Sequence, residues 1–406
     1  MRILFISQYF YPETFRGNDI AFDLVKRGEE VTVVSAIPNY PGGSFFDSYG
    51  LFKRNKETIN GVKVIRVPVF SRGKGNSTRL ILNYFSYAIN ASIYILYLAF
   101  FKKYDLLFVQ QLSPVLISMP AILFKWIKKI PLYTWVLDLW PESLTSAGGI
   151  NNKSIIRFFN WFVKLEYKSS DKILISSKAF RESIITKGDF TEKIIYFPNW
   201  AEEIFNKNIV SDYSMKIPPL PEGFKIMFAG NLGEAQDFNN IMKAMIFLSK
   251  EENIKLILIG DGRKKEWINN FILKHNLEKK IYYLGHFPLE IMPFLFEKAD
   301  VMLVTLKEDL ILNLTAPAKL QAYMSSKKPI IGMINGEGAD LIKQAKCGYY
   351  TNAGNAKGLA NLMRKISLLS SIELEKMGIN GHNFCEENFN KNKCLDNLYK
   401  ILYSKT

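Results

Sequence analysis

The stretch Pro218-Pro219-Leu220-Pro221-Glu222-Gly223-Phe224-Lys225-Ile226-Met227-Phe228-Ala229-Gly230-Asn231-Leu232-Gly233 decides the architecture. Its prolines close a polar segment with the composition of a linker, because proline lacks an amide donor and fits poorly inside a helix or a sheet. Directly after them Lys225–Ala229 reads as a buried strand, and the glycines of 230–233 as the turn that carries it toward a helix. A strand that starts afresh beyond a linker, in a chain of 406 residues, predicts two domains, since one hydrophobic core seldom organises so much chain.

The same rhythm extends both ways. Downstream, strands are expected at Lys255–Ile259, Ile281–Leu284, Val301–Val304 and Ile330–Met333, with helices from Asn239 and from Pro317. Upstream, Ile3–Ser7, a helical stretch Asp19–Arg27 and Val31–Ser35 make a βαβ opening, followed by strands at Val62–Val67, Leu106–Gln110, Leu132–Leu137 and Lys172–Ser176. Alternation of this kind specifies a parallel, doubly wound sheet in each half. The expected division is an α/β chain with residues 1–200 as a first Rossmann-like domain, 201–221 as linker, 222–380 as a second, and a helix over 381–406 that returns to the first.

Composition narrows the partners. At 48% hydrophobic residues the chain can bury two large cores and is not a disordered segment. Its three cysteines, Cys347, Cys385 and Cys394, match neither a disulfide framework nor a zinc site, and the apolar run Ile3–Ile6 is too short for a signal peptide, so a reducing cytoplasm is expected. A formal net charge of +15 favours polyanions: nucleic acid, anionic lipid or phosphorylated substrates. The lysines are dispersed and no nucleic-acid module is present, which leaves membrane and phosphate. The uncharged run Leu80–Phe101 is long enough to span a bilayer, yet Asn83, Ser86 and Asn90 share one side of a helix. A helix or helix pair packed on the sheet and a membrane-surface helix both fit, the latter supported by Lys102, Lys103, Lys125, Lys128, Lys129 and Trp126.

Several loops at strand ends could carry chemistry. Gly230, Asn231 and Gly233 permit a phosphate to approach backbone amides; a plain strand-to-helix turn is the competing account. Arg263, after Gly260-Asp261-Gly262, could hold a diphosphate or be a solvated helix-start residue. Thr315, Ala316, Pro317 and Ala318 lead into a helix whose first amides carry partial positive charge, and Lys319 adds a full one, a place suited to a pyrophosphate leaving group. Gly336 and Glu337 follow another strand, where Glu337 could bond sugar or ribose hydroxyls. In the first half, Asp138 and Trp140 pair a carboxylate with an indole, as carbohydrate sites do. Tyr9, Tyr11, Glu13, Asn39 and Tyr40 complete that edge as an acceptor surface. The first histidine is His275, so neither a zinc site nor a Ser-His-Asp triad that needs histidine can sit in the first half, and no P-loop Gly-Lys-Ser occurs.

Taken in order, Ile6–Glu13, Asn39–Gly43, Asp138–Glu142, Gly230–Gln236, Pro317–Met324 and Asn335–Gly338 resemble the retaining glycosyltransferase family four, and within it the N-acetylfucosamine transferases of O-antigen and capsule assembly. The resemblance covers nearly the whole chain. It implies a GT-B fold, two Rossmann-like domains facing an interdomain cleft, and a metal-independent enzyme with no cofactor. A UDP-sugar, expected to be that of an N-acetylated deoxyhexosamine, would be the donor, and a polyprenyl-diphosphate-linked saccharide at the inner face of the cell membrane the acceptor. The family's arginine and lysine that grip the diphosphate would fall near Asn231 and Gln236; its E-x7-E glutamates would fall at Leu314 and Ala322, and its His-Asp element reads Leu137-Asp138. Lys319 is expected to replace the missing cations, with Glu337 and Gln321 taking part of the glutamates' task and His286 on the donor side. On this reading Lys319, Asp138 and Glu337 are catalytic. Two further functions remain open: a UDP-sugar epimerase of the same fold, and a catalytically silent sugar-binding subunit.

Overall fold

The computed structural model describes residues 1–73, 76–146, 152–205 and 218–404. The chain divides into two compact units, Met1–Phe197 with Leu395–Thr406, and Pro198–Cys394. In chain order the first contains β1 (Arg2–Ile6), α1 (Arg16–Lys26), β2 (Glu30–Ala36), β3 (Lys56–Ile59), β4 (Val62–Val67), α2 (Ser77–Phe101), β5 (Leu106–Gln111), α3 (Met119–Lys128), β6 (Leu132–Val136), α4 (Glu142–Ser146), α5 (Lys153–Ser169), β7 (Lys172–Ile175), α6 (Phe180–Ile185) and β8 (Ile194–Tyr196). The second contains β9 (Phe224–Ala229), α7 (Phe238–Phe247), β10 (Ile254–Ile259), α8 (Lys265–Lys274), β11 (Ile281–Gly285), α9 (Met292–Glu297), β12 (Val301–Thr305), α10 (Leu310–Leu314), α11 (Ala318–Ser325), β13 (Ile330–Met333), α12 (Gly336–Ala345), β14 (Gly348–Thr351), α13 (Ala356–Ser367) and α14 (Ser371–Asn388). α15 (Lys391–Tyr403) starts in the second unit and ends in the first.

Both sheets are doubly wound. In the first unit the order is β3-β4-β2-β1-β5-β6-β7-β8, and in the second β11-β10-β9-β12-β13-β14. Neighbouring strands run parallel except β3, which is antiparallel to β4. Strand order reverses between β1 and β5 in the first sheet and between β9 and β12 in the second, and it is outside the carboxyl ends of such strands that open α/β sheets leave a crevice for ligands. Alternate residues of β9 enter opposite cores: Met227 and Ala229 pack with Met302 and Leu320, while Ile226 and Phe228 pack with Ile241 and Met245. That two-sided burial is why the central strands are continuously apolar.

The strand register expected from sequence holds to within one residue at the strands named above. Three strands lacked a sequence signal: β3, β8 and β14. Each lies at the edge of its sheet and each is only partly buried, so its residues carry little of the apolar pattern on which recognition depends. Leu80–Phe101 forms one unbroken helix, α2, instead of a pair. Of the expected linker, 206–217 lie outside the described residues. Residues 198–205 pack on the second unit: the Ala201 amide donates to Phe389 O (3.1 Å) and Phe205 stacks on Phe296 at 5.2 Å. In the first unit the end of α15 is tied down by Lys172, whose Nζ donates to Ile401 O at 2.9 Å, and by the Glu29 carboxylate, which accepts from the hydroxyls of Tyr399 and Tyr403.

Candidate active site

In the second unit three loops meet at the point where strand order reverses. The turn after β9 and the turn after β10 are locked edge to edge, with the Leu232 amide donating to Asp261 O (2.8 Å) and the Lys264 amide to Leu232 O (2.9 Å). Only glycine fits there: a Cβ on Gly260, at φ +134°, would lie 1.9 Å from Gly230 O, and one on Gly262 2.5 Å from Leu232 O. From the other side of the reversal, the Lys307 amide donates to Ala235 O (2.9 Å) and the Thr305 hydroxyl to Gln236 O (2.5 Å). The turn after β9 leads through a short 3-10 segment, Glu234–Gln236, before α7 begins.

Lys319 reaches into this junction from the first turn of α11. Its Nζ lies 4.0 Å from the ring centroid of Phe228 and donates to Gln236 Oε1 at 2.7 Å. A Cβ on Gly230 would meet its Cε at 2.6 Å, so the lysine lies directly on the glycine turn. Both partners are neutral. Burial alone pushes the ammonium from its ordinary value down to about 7, with no carboxylate among the described residues to hold it up. A desolvated ammonium beside the bare amides of a locked glycine turn has the chemistry to receive an anion. Pro317 stands one position earlier than expected, as the extended residue before α11, and no side chain caps that helix. The Tyr323 hydroxyl fixes the end of β9 from below, bonding both the amide and the carbonyl of Ala229 at 3.0 Å. Phe228 and Tyr323 were not singled out from sequence, where each reads as ordinary core.

The remaining donor-side residues separate. Asn231 is exposed beside the crevice and Gly233 lies against its amide. The Thr315 hydroxyl donates to Ile311 O (2.8 Å) and closes α10, while Ala316 packs against the core and Ala318 is exposed. Gly336, at φ +60°, lets α12 start close to Asn313 O, and Glu337 is buried in the first turn of that helix. Gln321 does not join Lys319. Two positions apart on a helix are about 200° apart, and the buried Gln321 amide donates instead to Asn199 O (3.0 Å). His286 and Arg263 are exposed. His286 follows the edge strand β11, with β10 and β9 between it and the reversal, a separation of roughly 10 Å at ordinary strand spacing.

In the first unit, the predicted residues are bound to one another. Glu13 accepts from the amides of Asn39 (2.9 Å), Tyr40 (2.8 Å) and Phe10 (3.3 Å), stapling the loop after β1 to the loop after β2. Burial raises its carboxyl to about 7 against the pull of those amides. Asn39 is buried and donates to Ile37 O. Asp138 accepts from the hydroxyls of Ser113 and Ser143. Trp140, expected to be a sugar platform, is 7% exposed, with its indole on Phe159 and its Nε1 donating to Ser113 Oγ (3.0 Å). Burial without a free ring face is the reason it cannot stack on a sugar here. Tyr9 is buried against Phe15, but Tyr11 and Tyr40 are 46% and 40% exposed. Sequence reasoning missed Arg72, which donates to the Tyr9 hydroxyl (2.5 Å) and faces the rings of Tyr9, Tyr40 and Tyr84. A lone arginine in a loop gives no periodic signal. A cavity of about 940 Å³ in this unit, between Thr32, Lys56, Lys63, Tyr94 and Lys103, contains none of the residues expected to bind donor or acceptor.

Two doubly wound units, the second with a cation set on a glycine turn where strand order reverses, define a GT-B fold, the architecture of glycosyltransferases. Residues 212–384 match the family model described as glycosyl transferases group 1, which supports a group 1 glycosyltransferase. The chain is 23% identical, over 76% of its length and 77% of the relative's, to WcaI of Escherichia coli strain K12, a candidate colanic acid biosynthesis glycosyl transferase. Its fold matches Anabaena Alr3699/HepE in complex with UDP, with a TM-score of 0.72, 14% identity and full coverage of both chains; HepE is also solved with UDP-glucose. WaaG, a glycosyltransferase involved in lipopolysaccharide biosynthesis, matches with a TM-score of 0.67 at 14% identity, again over the whole of both chains.

Proposed function

We propose that the protein is a retaining, metal-independent hexosyltransferase that moves a sugar, an N-acetylated deoxyhexosamine, from its UDP-linked donor to a polyprenyl-diphosphate-linked saccharide. Its place is the assembly of a bacterial surface polysaccharide such as O-antigen or capsule, peripheral to the inner face of the cell membrane. The carrying observation is Lys319, a desolvated cation with neutral partners on a glycine turn.

The diphosphate lies along the Gly230–Gly233 turn and the start of α11, and its charge holds the Lys319 proton. As the bond between the anomeric carbon and the β-phosphate oxygen breaks, negative charge grows on that oxygen; the ammonium and the preorganised amides stabilise it more than they stabilise the bound donor. The acceptor hydroxyl attacks the same face of the anomeric carbon and its proton passes to the departing phosphate, so UDP leaves and no protein nucleophile is needed. Arg72 and the exposed Tyr11 and Tyr40 support an acceptor site on the first unit.

Thermal shift with UDP-glucose and UDP-N-acetylglucosamine tests this, because a ligand that binds only the folded state raises the melting temperature. The diphosphate diester does not titrate near neutrality, so the sign belongs to Lys319: binding is full below pH about 7 and weakens as the free ammonium is lost above it. An equal shift at all pH values, or none with any nucleotide sugar, refutes the reading.

A further inference from the structure

α2 exposes an apolar stripe where an ordinary surface helix turns polar side chains to water. Its polar side chains face the protein: Asn83 is fully buried, donating to Phe70 O (2.6 Å) and accepting from Gln8 Nε2 (2.8 Å). Ser86 Oγ accepts from the Phe70 amide (3.1 Å), and Asn90 donates to Pro68 O (2.8 Å). One apolar stripe, with Tyr87, Ile95 and Leu98, is buried in the unit, and a second faces out: Ile81, Phe85, Ile89, Ile93, Tyr97 and Phe100 are 45–71% exposed. Their spacing keeps them on one side of the helix for roughly 28 Å. The apolar surface continues onto α3 with Trp126 and onto α5 with Phe158 and Trp161, all more than 45% exposed. Between the three helices runs a wholly apolar groove of about 440 Å³.

Charge says what covers this face. α2, α3, α5 and the lysines directly after α2 and α3 hold ten lysines and arginines, among them the exposed Lys102, Lys103, Lys128 and Lys164, and a single acid, Glu166, which is fully buried. A second copy of the chain docked symmetrically would set lysine against lysine. The helix is apolar enough to cross a membrane by length and composition, but 39% of its apolar window is buried and its asparagines are bonded into the unit.

We propose that the α2, α3 and α5 face docks on an anionic bilayer, with α2 lying in the interface plane, its apolar stripe among the acyl chains and the groove holding one of them. Trp126 and Trp161 take the headgroup level, where indoles partition best, and the lysines meet the lipid phosphates. This rests on the membrane location proposed above, and vesicle binding tests it apart from sugar transfer.

The experiment is flotation of the full chain with vesicles of phosphatidylcholine, alone or mixed with phosphatidylglycerol, at low and high salt. Binding to the mixed vesicles, weakened by salt, is expected. Lys102→Ala with Lys103→Ala should cost about fivefold in partitioning per lysine, and Trp126→Ala or Trp161→Ala about tenfold. Ile93→Glu should abolish it while the thermal shift with UDP-glucose stays unchanged, which shows the protein folded. Equal binding to both vesicles, no binding, or an Ile93-dependent dimer in sedimentation without lipid overturns the proposal.

Discussion

The two units present the same topological edge and furnish it in opposite ways. At the carboxyl strand ends of the first, polar groups are consumed by each other: Glu13 by three amides, Asp138 by two serines, and Arg66 by Glu57, Ser35 and the Tyr11 carbonyl. In the second, glycines keep the backbone bare and Lys319 meets no carboxylate among the described residues. A saturated edge fixes loop shape, whereas an edge with a desolvated, uncompensated cation stores the free energy that a ligand releases on binding. Removing the Lys319 charge on the second edge should therefore cost activity, whereas changing the backbone-locking glycines there or the mutually bonded polar groups of the first edge should act on stability.

The largest effect is expected at Lys319. Lys319→Met keeps an apolar stem over Phe228 and removes the charge, so turnover should fall by about a hundred- to a thousand-fold with the melting temperature little changed. Near-normal UDP release in a transfer assay would break the comparison at its strongest point. Next comes Gly260→Ala. Its methyl would lie 1.9 Å from Gly230 O at φ +134°, so the second unit should lose about 3 kcal/mol in denaturant unfolding; a loss below about 1 kcal/mol would show that the paired turns yield easily.

Glu13→Gln sharpens the contrast from the first edge. The folded carboxyl sits near 7, above its ordinary 4.5, so the native state binds more protons in that interval and the Glu13 contribution to stability falls as pH rises through it. In the glutamine variant that slope should vanish, by an amount up to about 2 kcal/mol between pH 5 and 7, with UDP-glucose binding unaltered. An unchanged pH profile would place the ionised carboxylate firmly on its three amides.

Much of the fold was legible because central strands buried on both faces leave continuous apolar runs, as Lys225–Ala229 and Ile330–Met333 do. Edge strands such as β3 and β14 were not, since half-solvated residues carry a weaker pattern. Of the candidate site, glycine turns and the lysine at a helix start could be read in order along the chain. What local sequence could not tell was direction: Gln321 and Lys319 sit two residues apart and serve different neighbours, Trp140 turns inward, and the asparagines of α2 face the core. Arg72 escaped because its meaning comes from three tyrosines distant in sequence.

The smallest effect is expected at Asp138, and it decides whether the first edge is wholly structural. Both carboxylate oxygens accept from serine hydroxyls, and a hydroxyl can rotate to accept as readily as it donates. Asp138→Asn then leaves Ser113 donating to the amide oxygen while Ser143 turns to accept from its nitrogen, a swap costing under about 1 kcal/mol of stability. If the carboxylate only shapes the turn before α4, transfer should proceed at nearly the wild-type rate. If transfer collapses in a protein of unaltered melting temperature, Asp138 touches the acceptor or the sugar, and the saturated edge has one member that exchanges its serine for substrate during the reaction.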